Sequence, residues 1–407
     1  MKYLYHHRTL GINVEGVHIH SICNALVDLG HQVKLVSINS IHDSSSNRHF
    51  SNHNSDNPSN LNTRPSVLKS MVRNIPEPFF ELLEFFYNFY SFFRLWYVIH
   101  HYKPDRIYER YSLYLFSTLL LARLYSIPIV YEINDSAQLE RLRPLFFQKI
   151  SSQIERIIFR YANGLVFVSK RLQSIITSAY PSMTTLSIVS HNASNKSIFS
   201  SDHRLKMEHK NRLKLDSKIV CGFIGCFAPW HGIDTFMSVI APQLKHYPDL
   251  TLLLVGDGKT LKSIRQIQDN YQLGNQVIIT GNIPHEEIIN YIHAMDFSVL
   301  PSSNEYGSPM KMFELMGAGI PLLAANYPPI AEIIEDNKDG WLFPINDIDT
   351  CIEKLFSLYQ QPEQVNSAAL LAENKIHNHY QWANNAEDLE QLYQSCASQI
   401  HHQNTLG

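Results

Sequence analysis

The sequence predicts an α/β protein of two doubly wound, Rossmann-like domains that face a cleft. Two observations carry this expectation. Short, near-continuous apolar runs recur along the 407 residues, separated by amphipathic stretches. That is the pattern of parallel strands covered by helices on both faces. The alternation breaks once, at the polar segment HNASNKSIFSSDHRLKMEHK, and then resumes at Ile219. Ligands of such folds sit at the carboxyl ends of the strands.

Taken in order, Lys2 to Tyr5 reads as the first strand. A Gly-containing loop and an apolar-periodic helix from Val17 to Leu29 follow, stopped by Gly30, and Gln32 to Ser37 makes the second strand. This is a βαβ start. Residues 40 to 66 are rich in Ser, Asn and His and have no apolar period, which predicts a mobile loop. Residues 75 to 101 (IPEPFFELLEFFYNFYSFFRLWYVIHH) are aromatic nearly all round a helical wheel. Two readings stay open. A helix apolar all round is usually buried; the alternative is a surface helix meeting membrane lipid or a lipid-linked substrate. Against lipid stands the charge, only Arg94 facing Glu77, Glu81 and Glu84. Strands are expected at 105–108, 128–133, 164–168 and 186–190, then a linker around 195 to 215. The second half reads as strands at 219, 252–255, 277–280 and 297–300 with helices between, and residues 365 to 398 as helix. The resulting domains are 1–200, 201–380, and a C-terminal helix at 381–407 with the first domain as its packing partner.

Composition narrows the partners. A hydrophobic content of 44% is normal for a packed globular protein. The formal net charge of -3 argues against nucleic acid, whose binders rely on cationic phosphate contacts. The five cysteines are scattered, and CxxxxC (Cys221, Cys226) is not a metal spacing. Free thiols in apolar-periodic segments point to a reducing, cytoplasmic compartment. The first residues, MKYLYHHRTLG, lack a secretory apolar region, and no charge-free apolar run is long enough to span a membrane.

Residues 296 to 340 hold the most chemistry: a strand, a Ser/Gly-rich loop, a short helix, a second strand. Glu305, Lys311 and Glu314 fall within it. Two carboxylates and a cation beside a helix N-terminus suit a ligand with both phosphates and sugar hydroxyls. Ser308 reads as the N-cap and Pro309 as the first helical residue. Glu314 then shares a face with Lys311, either as a ligand group or as an exposed i,i+3 ion pair. Asp347-Ile348-Asp349 follows Pro344 at a helix start, which suits an N-cap better than a metal. His18 and His20 are two apart on a helix and do not share a face, so they are not read as a metal pair.

In this ordered series the chain resembles glycosyltransferase family 4, retaining enzymes of the two-domain GT-B fold. The resemblance rests on the Gly16 loop and helix, GHQVKLVS at 30–37, PDRIYERY at 104–111 and IPIVYEIND at 127–135. It continues through GFIGCFAPWHGID at 222–234, LLLVGDG at 252–258, VIITGNIP at 277–284 and residues 296–340. It implies sugar transfer from a nucleotide-sugar donor to an acceptor hydroxyl, with no metal or other cofactor. Amides and basic side chains would stabilise the leaving nucleoside diphosphate.

By the same resemblance Glu314 matches the glutamate that binds the nucleotide ribose. Eight residues separate Glu305 from Glu314, where the family has seven between its two glutamates, so Tyr306 occupies the usual position. Lys311, with Gly16, Gly225, His231, Gly307 and Ser308, falls on the donor side. His231 stands where a Lys is common, and the Arg usual in that loop is missing. Trp230 lines the cleft or packs between domains. Asn134 replaces the family's catalytic-site His and cannot shuttle a proton. Glu109, Arg110 and Glu132 fall on the acceptor side, with an internal ion pair as the alternative. Glu305, Asn134 and Lys311 are thus the residues expected nearest the chemistry.

The expected function is retaining sugar transfer onto a glycan or lipid-linked acceptor, in surface polysaccharide or glycolipid synthesis at the inner face of a membrane. A non-hydrolysing nucleotide-sugar epimerase and a GT-B binding protein without chemistry remain the alternatives.

Overall fold

The computed structural model describes residues 1–9, 11, 13–38, 40–43, 50, 76–140 and 144–405. They form two compact units. One runs Met1–Ser190 and takes back the segment from Ala383; the other is His191–Trp382.

In the first unit the order is β1 (Lys2–His6), α1 (Asn13–Asp28), β2 (Gln32–Val36), β3 (Ile41–Asp43), α2 (Glu77–Tyr102), β4 (Arg106–Arg110), α3 (Ser117–Leu124), β5 (Ile129–Ile133), α4 (Gln148–Tyr161), β6 (Gly164–Phe167), α5 (Lys170–Ala179) and β7 (Leu186–Val189). The strands lie in the order β3-β2-β1-β4-β5-β6-β7. All pairs are parallel except β2 with β3. Strand β3 is a correction: three residues of the segment expected to be a mobile loop form an antiparallel edge, with Lys34 bridging to Asp43 at 2.9 Å. Most of that expected loop, 44–49 and 51–66, lies outside the described residues.

Helix α2 also departs from the buried reading. Every exposed position from Phe79 to Tyr97 is Phe, Leu, Tyr or Trp, while Glu81, Asn88 and Ser91 face inward beside Leu95, Val98 and Ile99. The inward polar groups are used. Asn88 donates to the carbonyls of Phe85 and Tyr114 and accepts from the amides of Phe116 and Ser117. Glu81 accepts from Tyr114 and from the amides of Phe146 and Phe147. These contacts, with the burial of Leu95, Val98 and Ile99, fix which face turns inward.

The second unit runs α6 (His203–Arg212), β8 (Ile219–Ile224), α7 (Ile233–Ile240), β9 (Leu250–Val255), α8 (Leu261–Asn270), β10 (Val277–Ile279), α9 (His285–Ile292), β11 (Phe297–Leu300), α10 (Met310–Gly317), β12 (Leu322–Ala325), α11 (Pro328–Ala331), β13 (Gly340–Phe343), α12 (Ile348–Tyr359) and α13 (Pro362–His379). Its sheet is wholly parallel, in the order β10-β9-β8-β11-β12-β13. Strands β9, β11 and β12 are buried along their whole length, which is why they read as unbroken apolar runs.

The unit begins ten residues before the expected boundary at 201. The segment expected to be a linker contains α6, capped by Asp202, whose carboxylate accepts from the amides of Arg204 and Leu205. Lys206 and Lys210 on that helix both bind Asp296 at the foot of β11. Asp347 caps α12 by accepting from the Thr350 amide, so the D-x-D is spoken for locally. The C-terminal helical stretch is two helices, α13 and α14 (Trp382–Thr405), and α14 belongs with the first unit.

Candidate active site

The carboxyl ends of β8 and β11 bring Gly225, His231, Lys311 and Glu314 to one region of the second unit. The chain leaves β8 through Gly225, whose φ of +139° suits only glycine. A Cβ there would lie 2.6 Å from Lys311 Nζ, so the ammonium rests against bare backbone. Lys311 stands in the first turn of α10. Its Nζ is buried, sits 4.8 Å from the centre of the Phe223 ring, and has no hydrogen-bond partner among the described residues. Burial pulls its pKa down to about 8. No side chain caps the start of α10. A buried ammonium without a hydrogen-bonding partner among the described residues, beside a helix start that no side chain caps, is an arrangement that favours negative charge.

His231 ends a 3-10 turn at Pro229–His231 and packs on Phe223, ring centres 6.2 Å apart. Burial and the Lys311 charge lower its pKa to about 4. It is therefore neutral at pH 7 and offers a hydrogen bond rather than a second positive charge. Trp230 beside it is half exposed. The turn is fixed by a zipper to the next loop. Gly225 N donates to Val255 O, Phe227 N to Asp257 O, and Thr260 N to Phe227 O. Gly256 and Gly258 allow this: a Cβ on either would strike the backbone of 225 or 227 within 2.6 Å. The glycines of VGDG thus fix the loop that carries Gly225 and His231.

Glu314 is buried one helical turn beyond Lys311, and Nε2 of His285 meets its Oε1 at 2.9 Å. An exposed Lys311–Glu314 ion pair is thereby replaced by a buried partnership with α9. Burial opposes the charged imidazole, but the hydrogen bond and charge of Glu314 outweigh it and raise the His285 pKa. One carboxylate oxygen, Oε1, is held in place by His285.

Ser308 corrects the sequence reading. The cap position is Pro309, and α10 begins at Met310. The Ser308 hydroxyl instead accepts from the Asn192 amide at 3.1 Å, and the Asn192 side chain donates to the Ser308 carbonyl. Gly307 closes a turn in which Asn304 Oδ1 accepts from the amides of Tyr306 and Gly307. Glu305 lies exposed on the same loop, with Tyr306 half-buried.

The first unit gathers a second polar cluster at the carboxyl ends of β1, β4 and β5. Glu132 is its centre. It accepts from Arg110 at 2.7 Å and Tyr5 at 3.2 Å, meets His18 Nε2 at 2.9 Å, and takes the Asn134 side-chain amide. Burial would lift this carboxyl, but His18 and Arg110 outweigh it and hold it well below the usual range. Asn134 is thus tied to Glu132. Glu109 and Arg110 do not pair with each other, because neighbours on a strand point to opposite faces. Glu109 is fully buried against His6 at 3.2 Å, with its Oε1 unpartnered. Gly16 is corrected as well: it lies inside α1, which starts at Asn13, not in the loop before it. Part of that loop lies outside the described residues.

Two family models cover most of the chain: "Glycosyltransferase Family 4" over residues 16–190 and "Glycosyl transferases group 1" over residues 206–377. The chain belongs to the group 1, family 4 glycosyltransferases. Relatives in this family include an alpha-D-kanosaminyltransferase of Streptomyces kanamyceticus, 23% identical over 56% of this chain and 60% of that protein. A UDP-Gal:alpha-D-GlcNAc-diphosphoundecaprenol alpha-1,3-galactosyltransferase of Escherichia coli is 27% identical over 36% of this chain and 37% of its own length. An uncharacterized glycosyltransferase of Haemophilus influenzae is 28% identical over 38% and 43%. The chain spans less than two thirds of the length of each. The Anabaena protein Alr3699/HepE, solved with UDP, superposes with a TM-score of 0.70 at 16% identity, over 97% of this chain and 100% of that one. That likeness shows the GT-B fold.

Within this chain, sequence reasoning missed His285. It is 29 residues from Glu314 and is joined to it only by the packing of α9 beside α10. Its one signal is position: it follows Pro284 in VIITGNIPH, directly after a strand that the family pattern includes.

Proposed function

We propose that this protein moves a sugar from a nucleoside-diphosphate sugar to an acceptor hydroxyl, with retention at the anomeric carbon. The observation that carries the reading is the buried Lys311 ammonium, unpaired, against the Gly225 backbone at the uncapped start of α10. A diphosphate supplies the missing charge. As the sugar–oxygen bond breaks, negative charge grows on the leaving phosphate, and Lys311 with the first amides of α10 stabilises it in place of a metal ion. Neutral His231 adds a hydrogen bond. Glu314, held by His285, accepts from the ribose hydroxyls. Glu305 reaches the donor sugar, and Glu132, Arg110 and Asn134 bind the acceptor, with Glu109 supporting them from the other face of the sheet.

The E. coli relative's name gives a UDP-sugar donor and a lipid diphosphate acceptor, and another relative's name gives GDP-mannose. We place this chain with them, on a glycan or lipid-linked acceptor in surface polysaccharide or glycolipid synthesis on the cytoplasmic side of a membrane. A panel of UDP-, GDP- and ADP-sugars tests the reading by thermal shift and by release of free nucleoside diphosphate in the presence of polyprenyl-diphosphate sugars. A donor that binds and is turned over with diphosphate release supports transfer. Turnover with no diphosphate released would make it an epimerase, and binding of no nucleotide sugar would remove the reading altogether.

A further inference from the structure

The outer face of α2 is apolar where a protein surface is usually polar. Its exposed positions from Phe79 to Tyr97 recur three and four residues apart and carry only Phe, Leu, Tyr and Trp. Phe79, Phe89 and Phe93 are each more than 60% exposed. A contiguous face of this kind marks an interaction site. It is not a helix turned the wrong way round, because the inward side holds Glu81 and Asn88 in seven hydrogen bonds.

Charge identifies the partner. Helix α3 packs on α2, and Arg123 of α3 lies over the Tyr161 ring of α4 at 5.6 Å, so the three helices form one surface. Among their described residues, every fully exposed ionic side chain is a cation: Arg123, Lys149, Arg156 and Arg160. The acids are withdrawn. Glu81 and Glu155 are buried, Glu84 is paired with Arg8, and Glu77 is half-buried. A second copy of the chain would meet this surface with the same cations and no exposed acid on these helices to match them. An anionic bilayer matches both features, since Trp, Tyr and Phe settle at the headgroup level and Arg and Lys bind the anionic headgroups. Among the described residues no helix is long and apolar enough to cross a membrane, so the contact is one of lying on the surface.

We propose that the outer face of α2, edged by the cations of α3 and α4, docks this protein on an anionic lipid bilayer. The inference stands on this surface alone and does not depend on the chemistry assigned to the second unit.

Vesicle flotation of the full chain tests it. Vesicles of phosphatidylcholine alone are compared with equal parts phosphatidylcholine and phosphatidylglycerol. The bound fraction is expected to be about tenfold higher or more on the anionic vesicles and to fall as salt is raised. The double variant Phe93→Ser/Trp96→Ser should lose binding to both kinds. Arg123→Glu/Arg160→Glu should bring anionic binding down to the phosphatidylcholine level. All four positions are exposed, so melting temperatures should match the parent's and certify the fold. The proposal is overturned if the parent ignores anionic vesicles, or if both variants bind as the parent does. It is equally overturned if light scattering finds a dimer that Phe93→Ser/Trp96→Ser dissolves while lipid binding is absent. Nucleoside-diphosphate binding measured on the same preparations reports separately on the second unit.

Discussion

Lys311 is where stability and function pull in opposite directions. Its ammonium is buried without a hydrogen-bonding partner among the described residues, and its pKa falls from 10.5 to about 8. The charged form is therefore penalised in the native state. The penalty is in full force below pH 8 and is relieved as pH rises through 8. At about 1.4 kcal/mol per pH unit, the cost at pH 7 is on the order of 3 kcal/mol. Lys311→Met removes it while keeping the volume. The variant should melt at a higher temperature than the parent at pH 7 and yet bind nucleoside diphosphate at least about tenfold more weakly. A lysine that merely braced the fold would give the reverse sign in the melt. The parent's affinity should also weaken by up to about tenfold per pH unit above 8, as the free enzyme loses the proton that the diphosphate requires. In Lys311→Met that dependence should vanish, and titration calorimetry across pH 6.5 to about 10 reads both effects. The partner residue gives a different pattern. His285→Ala frees the Glu314 carboxylate, so nucleoside affinity should drop about three- to tenfold, while affinity for inorganic diphosphate stays unchanged.

At the scale of elements, what could be read depended on whether the deciding partner was near in the chain. Parallel strands announced themselves because both faces of β9, β11 and β12 are covered, leaving apolar runs. The Asp347 cap was readable because donor and acceptor are three residues apart. The Ser308 cap was misread because a tertiary competitor, the Asn192 amide 116 residues away, takes the hydroxyl. Helix α2 was ambiguous because a wheel aromatic all round has no hydrophobic direction. The usable signal was the polar minority: Glu81, Asn88 and Ser91 stand seven and three apart, on one face. These are the residues that turn inward. Asn88 is the sharpest test, since its side chain closes three hydrogen bonds from α2 to Tyr114, Phe116 and Ser117 at the entry to α3, and a fourth to the Phe85 carbonyl within α2. Asn88→Ala leaves two amides and a carbonyl at that entry without partners, so the first unit should lose about 3 kcal/mol. Chemical denaturation followed by the fluorescence of Trp96, in a variant whose other tryptophans are Phe, measures this. Phe89→Ala on the exposed face of the same helix should change stability by less than about 0.5 kcal/mol.

For the molecule as a whole, chain order and fold order differ. The second unit is continuous, His191–Trp382, whereas the first is completed only by the last helix of the chain. Helix α14 is built into that first unit. Glu390 binds Tyr3 and Arg106 and meets His31 at 3.2 Å. The Tyr393 hydroxyl donates to the Ile107 carbonyl, and Cys396 to the Asn163 carbonyl. Leu392 packs so closely on Gly164 that a Cβ there would sit 3.0 Å from its side chain. Removing α14 would uncover Tyr3 and Gly164 at the start of β6, and leave Arg106 without its carboxylate. The second unit loses nothing but its exit, since Ser194 N still donates to Tyr380 O where the chain enters and leaves. A chain ended after Trp382 should therefore split in its behaviour. Its first unit should unfold at a temperature at least about 10 °C lower, as expected for the loss of several buried contacts and one buried ion pair. Its second unit should keep its melting transition and its affinity for nucleoside diphosphate. Differential scanning calorimetry with and without the nucleotide resolves the two transitions. A single transition that falls as one, with nucleotide affinity lost alongside it, would mean that α14 supports both units and that the division drawn at residues 190 and 382 is not the one that governs stability.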